Sequence, residues 1–181
     1  MISPHTVQGI KLLVSDVDGV LTDGTIIYGN GGTELKGFNI KDGLAMKLAG
    51  WNDLPVVWLT GRCSEAVARR AAELDVAVFQ GAQNKDVGLR ALAQERGLAL
   101  AEIAYIGDDL NDIPALRLAG LPLAVADAAP EVKALAGYVT HAVGGQGAIR
   151  EVIEYILGAQ GRWERAVETY IDRICAGDAP Q

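Results

Sequence analysis

The sequence predicts an α/β protein built on one doubly wound parallel sheet. Three observations carry this reading. Short, almost wholly apolar runs recur along the chain, helical patterns separate them, and charged residues gather just after the apolar runs. Strands buried on both faces read as continuous apolar runs, and strand–helix–strand alternation calls for parallel pairing with helices on both faces.

The first strand is predicted over residues 10–15 (IKLLVS) and the second over 55–59 (PVVWL). Residues 76–79, 103–106, 121–125 and 138–140 supply four more. Helices are predicted over 42–49, 64–74, 85–96, 112–119 and 130–136, where Ala and Leu fall at helical spacing. Gly50, Gly97, Gly120 and Gly137 stand where C-terminal caps would be expected. Residues 25–40 break the rhythm. Two strand-like arms flank Gly29-Asn30-Gly31-Gly32, a hairpin signal, and the segment is too short for a second domain. Gly144-Gly145-Gln146-Gly147 reads as a flexible loop opening a C-terminal tail, 144–181, with one helix resuming at 148–157. Beyond it Trp163, Val167, Tyr170, Ile171 and Ile174 form an apolar stripe, suited to packing on its own domain or on another subunit.

The chain has 181 residues, 50% hydrophobic and 22% charged, which fits one ordinary globular domain spanning 1–181. No apolar run approaches the roughly 20 residues of a membrane span, and no secretory signal precedes the first strand. Cys63 and Cys175 have no Cys or His partner nearby in sequence and read as free thiols, in keeping with a cytoplasmic protein. The net charge of −7 argues against nucleic-acid binding and, for an anionic substrate, calls for local cations or a metal.

Ligands of an open parallel sheet bind beyond the carboxyl ends of its strands. There the sequence places Asp16 and Asp18, then Thr60, Gly61 and Arg62, then Gly107, Asp108 and Asp109 with Asp112 following; Lys85 opens the helix after the third strand. Singly, each has an ordinary explanation: a turn, a helix cap or a solvated lysine. Gathered at one edge, the acids would repel one another and need neutralising. Oxygen donors without His or Cys suit magnesium, and acids with one lysine and one hydroxyl suit phosphoryl transfer.

The ordered set Asp16-x-Asp18-Gly19-Val20, Thr60, Lys85 and Gly107-Asp108-Asp109 resembles the four motifs of the haloacid dehalogenase superfamily, over essentially the whole chain. DVDGVLTDG, FNIKDG at 38–43, LTGR, QNK, YIGDDLND and GGQGAIRE at 144–151 are similar to segments of its 3-deoxy-D-manno-octulosonate 8-phosphate phosphatase family. That subgroup has a Rossmann-like fold with a small hairpin and no large cap domain. The resemblance implies that Asp16 attacks phosphorus to form an aspartyl-phosphate and that Asp18 acts as acid and then base. It implies that Thr60 binds phosphoryl oxygens, Lys85 balances their charge, and Mg2+ is held by Asp16, Asp108 and the Asp18 carbonyl. Asp109 and Asp112 would support this centre.

For the sugar acid, the resemblance implies a substrate-facing segment of Asn39, Ile40, Lys41, Asp42 and Gly43, together with Arg62 and Arg70; Lys47 could add charge. Arg69 and Arg70 near Glu73 also read as ordinary helix-surface residues. A homotetramer is implied in which hairpins meet and a neighbour's segment from 144 to Arg150 covers the site, with Arg150 touching substrate. The pathway implied is lipopolysaccharide synthesis. One rival keeps the chemistry but takes a nonulosonate (sialate-type) 9-phosphate. A second is a phospho-accepting receiver domain, disfavoured because Asp-x-Asp comes first here and Gly-Asp-Asp follows the lysine. A third is a catalytically silent binding protein on the same fold.

Overall fold

The structure is a computed structural model that describes residues 4–177; the outermost residues of the expected 1–181 domain and 144–181 tail lie outside the described residues. After α1 (Pro4–Gln8), β1 (Leu12–Ser15) leads to a hairpin of β2 (Ile27–Tyr28) and β3 (Glu34–Leu35). Then come α2 (Ile40–Trp51), β4 (Val56–Leu59), α3 (Glu65–Leu74), β5 (Ala77–Phe79), α4 (Lys85–Arg96) and β6 (Ile103–Gly107). The chain continues through α5 (Ile113–Leu116), β7 (Leu121–Ala124), α6 (Pro130–Leu135), β8 (Tyr138–Val139), α7 (Ala148–Ala159) and α8 (Trp163–Ala176).

Six strands form one parallel sheet in the order β5-β4-β1-β6-β7-β8. β1 is central: Val14 stands beside Val57 of β4 and Tyr105 of β6. Every residue of β1, β4 and β6 is buried, as double-sided cover demands, whereas the edge strand β5 is partly open. α2 packs on α3 and α7, and α4 packs on α5, which packs on α6. Right-handed crossovers put these two groups on opposite faces, because the connections run one way from β1 to β5 and the other way from β6 to β8. The reversal falls between β1 and β6. Asp16 and Asp108 leave those two strands side by side, at the switch point where an α/β sheet opens a crevice.

Several expected bounds shift for local reasons. The hairpin arms are two residues each, not the whole of 25–40, because Asn39 already caps α2, its side chain accepting from the Lys41 amide at 2.9 Å. α2 therefore starts at Ile40 and runs through Gly50, which is helical rather than a cap; Asn52 closes the helix. The expected helix 112–119 is a 3-10 turn, Leu110–Asp112, followed by the short α5, with the turn capped by Asp109 and Pro114 in the first turn of α5. α8 packs on its own domain, the first of the two alternatives foreseen for it. Ala166 is buried and Tyr170 stacks on Trp51, while Ile171 and Ile174 face outward. Among the described residues, no helix is long and apolar enough to cross a membrane.

Candidate active site

Asp16 sits at the end of a strand whose apolar residues are wholly buried, and is itself only 4% exposed. Lys85, the first residue of α4, is also buried and reaches Asp16 Oδ2 at 2.9 Å and Asp112 Oδ1 at 2.5 Å. Asp112 is the hub beneath the site. Its Oδ1 also accepts from the Tyr105 hydroxyl at 2.7 Å, and its Oδ2 accepts from the Asp108 and Asp109 amides at 2.9 and 3.3 Å. Gly107 has to be glycine here, since a Cβ would collide with the Asp112 carboxyl.

Asp16, Asp108 and Asp112 bring carboxylate oxygens within 4.8 Å of one another. One lysine does not balance three acids. Burial first, and then the charge of Asp112, push Asp16 up to about 6 against the pull of Lys85. Burial, Asp16 and Asp112 push Asp108 up to about 8. Asp108 Oδ1 is moreover buried with no hydrogen-bond partner. A divalent cation would supply the missing charge and give that oxygen a ligand, and an all-oxygen donor set suits magnesium. Asp112 has both oxygens engaged by donors, so Asp16 and Asp108 are the carboxylates with capacity to bind it.

Asp18 stands above Asp16 with its side chain 21% exposed. Lys36 of the hairpin exit pairs with Asp18 Oδ1, and Arg62 Nε lies 3.7 Å from Oδ2. Glu34 joins the two cations, 2.9 Å from Arg62 and 3.4 Å from Lys36. Neither Glu34 nor Lys36 is evident as a site residue from sequence, where ELKG reads as solvated hairpin. Thr60 is buried at the end of β4, its hydroxyl accepting from the Arg62 amide at 3.2 Å. Asp16, Asp18, Thr60, Gly61, Arg62 and Asp108 thus line one cleft of about 570 Å³.

A sequence profile of haloacid dehalogenase-like hydrolases matches residues 57–153. The chain is 43% identical over 169 residues to the 3-deoxy-D-manno-octulosonate 8-phosphate phosphatase of Salmonella typhimurium, covering 91% of this chain and 90% of that one. The chain belongs to the haloacid dehalogenase-like hydrolase family. Among solved structures, the phosphatase of the same name from Moraxella catarrhalis, in complex with magnesium, phosphate and a KDO molecule, superposes with a TM-score of 0.89 at 40% identity, covering 92% of this chain and 97% of that one. A cobalt-bound deoxy-D-mannose-octulosonate 8-phosphate phosphatase from Haemophilus influenzae gives 0.83 at 40% identity, covering 86% and 92%.

In this family member the remaining expected substrate residues do not enter the cleft of their own chain. Asn39 is occupied as the cap of α2 and donates to the Gly145 carbonyl at 3.4 Å. Asp42 is 1% exposed and accepts from the Arg150 amide at 2.8 Å, tying α2 to the start of α7; burial raises it to about 6. Ile40 and Lys41 face outward. Ile40, Gly43, Lys47 and Arg70 instead line a separate hollow of about 440 Å³ with Trp51 and Tyr170. Arg70 pairs with Glu73 at 3.1 Å, as its helix position suggested. The Arg150 side chain binds Glu154 at 2.7 Å and lies over the Trp163 ring.

The glycine-rich segment corrects another expectation. It is pinned, not flexible. The Gly144 amide donates to Asp127 at 2.9 Å and the Gly145 amide to the Val20 carbonyl at 2.9 Å. Gly144 packs so closely that a Cβ would strike the Gly19 carbonyl. Within its own chain this segment packs against the turn that follows Asp16 and Asp18. Glu151 fixes the approach to it, accepting from Tyr138 and from the backbone at His141 and Ala142, which holds its carboxyl down at about 2 despite burial.

Gly19 carries a sharper constraint. Its φ is +93°, and a Cβ there would collide with the Asp108 carboxyl. Gly19→Ala is expected to push Asp108 away from Asp16 and lower kcat/KM by about 100-fold or more, with weaker magnesium activation. Steady-state rates across a magnesium titration check this; an unchanged magnesium midpoint would contradict it.

Proposed function

We propose that this protein is a magnesium-dependent phosphomonoesterase that converts 3-deoxy-D-manno-octulosonate 8-phosphate to the free sugar acid and phosphate. The observation that carries the proposal is the buried Asp16–Lys85 pair at the sheet's switch point, beside the orphaned Asp108 oxygen and below Asp18. The family relationship at over 40% identity across most of both chains supports the same substrate.

In this reading the Asp16 carboxylate attacks phosphorus, the P–O ester bond breaks, and the Asp18 carboxyl gives its proton to the departing alcohol oxygen. The ionised Asp18 then takes a proton from the water that cleaves the aspartyl-phosphate. Thr60 and nearby amides hold phosphoryl oxygens, and Lys85 offsets their charge. Magnesium, when bound, neutralises the acids and the phosphate; Asp16, Asp108 and the Asp18 carbonyl would hold it. Arg62 is the cation at the cleft mouth best placed for the sugar acid's carboxylate, and it gives an acidic protein the local positive field it needs.

The same reading takes residues 1–181 as a single phosphatase domain acting in the cytoplasm, with the hairpin as its one insertion. It also takes the assembly as a homotetramer. Tyr28, Leu35 and Ile27 are 72, 53 and 50% exposed on the hairpin, an apolar edge suited to meeting its copies. Ile40, Lys41, Gly43, Lys47, Arg70 and Arg150 would then contribute only across such an interface. A neighbour's C-terminal tail near the site belongs to the same proposal, with Arg150 as its candidate substrate contact.

Phosphate release tests the substrate. With magnesium, the octulosonate 8-phosphate should turn over with a kcat/KM at least about tenfold above that of a nonulosonate 9-phosphate, a margin of roughly 1.4 kcal/mol, and a chelator should abolish both. Indifference to the octulosonate ester would overturn the assignment in favour of the nine-carbon substrate.

A further inference from the structure

We propose that Lys36 is a positioning residue for proton transfer, holding the Asp18 carboxyl at the leaving-group oxygen and stabilising the charge that appears there. The inference rests on Asp18 being the acid of the reaction proposed above. Lys36 lies on the chain leaving the hairpin, yet its side chain is wholly buried. Burying an ammonium group is costly unless it is paired, and an ordinary hairpin lysine keeps its head in water. Lys36 instead directs Nζ between Asp18 Oδ1 and Glu34 Oε1. Glu34 also holds Arg62, which approaches the other Asp18 oxygen. Both oxygens of Asp18 therefore face cations: Oδ1 is hydrogen-bonded to the hairpin's lysine, and Oδ2 has the arginine after β4 at 3.7 Å.

The electrostatics favour the transition state over the ground state. As the ester P–O bond breaks, the proton passes from Asp18 to the alcohol oxygen, the alcohol leaves neutral, and a full negative charge is left on Asp18. Lys36 and Arg62 already face the oxygens on which that charge develops, so their attraction grows along the reaction coordinate. Lys36 thus connects the hairpin exit directly to the acid. This gives the small insertion a chemical role.

The test is the dependence of kcat/KM on leaving-group acidity, across phenyl phosphates of similar size with graded ring substituents. These probes lack the sugar acid, so lost sugar contacts do not enter. Lys36→Gln is expected to steepen the dependence, costing the poorest leaving group about tenfold more than the best, whereas Lys36→Arg restores most of the wild-type slope. A uniform fall with unchanged slope, or no change, overturns the proposal and leaves Lys36 as a structural anchor of the hairpin. Asp18→Asn measured on the same series separates the two readings. If it leaves the slope unchanged, Asp18 is not the acid and the proposed mechanism fails; if it steepens the slope and Lys36→Gln does not, only the role of Lys36 fails. A thermal melt of each variant identifies loss of fold, in which case Lys36→Met is read on the same series.

Discussion

Asp16→Asn is expected to lower turnover by roughly 10⁴-fold or more while leaving the protein folded. The amide oxygen of asparagine is not a nucleophile toward phosphorus, and no other carboxylate can take its place. Asp108 is the nearest alternative, but its position across the switch point and its unpartnered buried oxygen fit a metal ligand. Stability should move in the opposite sense to activity. Asp16 is raised to about 6, so at pH 7 the metal-free protein carries an ionised acid that folding disfavours, a penalty that disappears as pH falls below the ordinary carboxylate range. A neutral amide removes that penalty, and Lys85 keeps Asp112 at 2.5 Å. The metal-free melting temperature should therefore stay level or rise, and stabilisation by magnesium should shrink. Phosphate release and thermal melts with and without magnesium measure both. Residual turnover within tenfold of the parent would sink the nucleophile assignment.

The largest loss of stability is expected at Asp112, which touches no cleft surface. Every partner of its carboxylate is a donor: Lys85, Tyr105 and the amides of Asp108 and Asp109. Asp112→Ala strands these donors in a buried site and leaves Lys85 with Asp16 alone. Breaking a buried pair of this kind costs about 3–5 kcal/mol, a fall in melting temperature on the order of 10 °C for a chain of this size. Activity should drop about 100-fold as well, because Lys85 and the Asp108 loop lose their common anchor. Asp112→Asn is nearly the same shape but must turn an NH2 group toward other donors, so it should recover only part of the stability. Full recovery by asparagine would show that shape, not acceptor capacity, is what the site needs.

The strands were legible because a doubly covered parallel strand has to be largely apolar, and β1, β4 and β6 are, with Ser15 the polar residue of β1. Their ends then located Asp16, Thr60 and Asp108 without any knowledge of side-chain contacts. The helix that was overextended, 112–119, failed because Asp109 and Pro114 favour a capped turn and a short helix over a long one. Tyr105 escaped notice since IAYI reads as one more buried strand, and only the fold reveals that its hydroxyl meets Asp112. Glu151 closes the GGQGAIRE segment with no role assigned to it in sequence, yet it holds the segment that leads into the 144–147 loop.

Sequence by itself determined the order of strands and helices and the set of acids, threonine and lysine at the strand ends, because periodicity and residue type are local properties. It also determined that a hairpin follows the first strand. Tertiary structure decided which of those charges meet. Lys36 lies eighteen residues from Asp18 and Lys85 twenty-seven from Asp112, and neither separation has a period that reveals a contact. The glycines of 144–147 read as freedom, although they are needed for close approach of two backbones, which sequence does not record. Asn39 and Asp42, expected at the substrate, also supply hydrogen bonds that join α2 to the loop and helix beside it, which only the fold reveals.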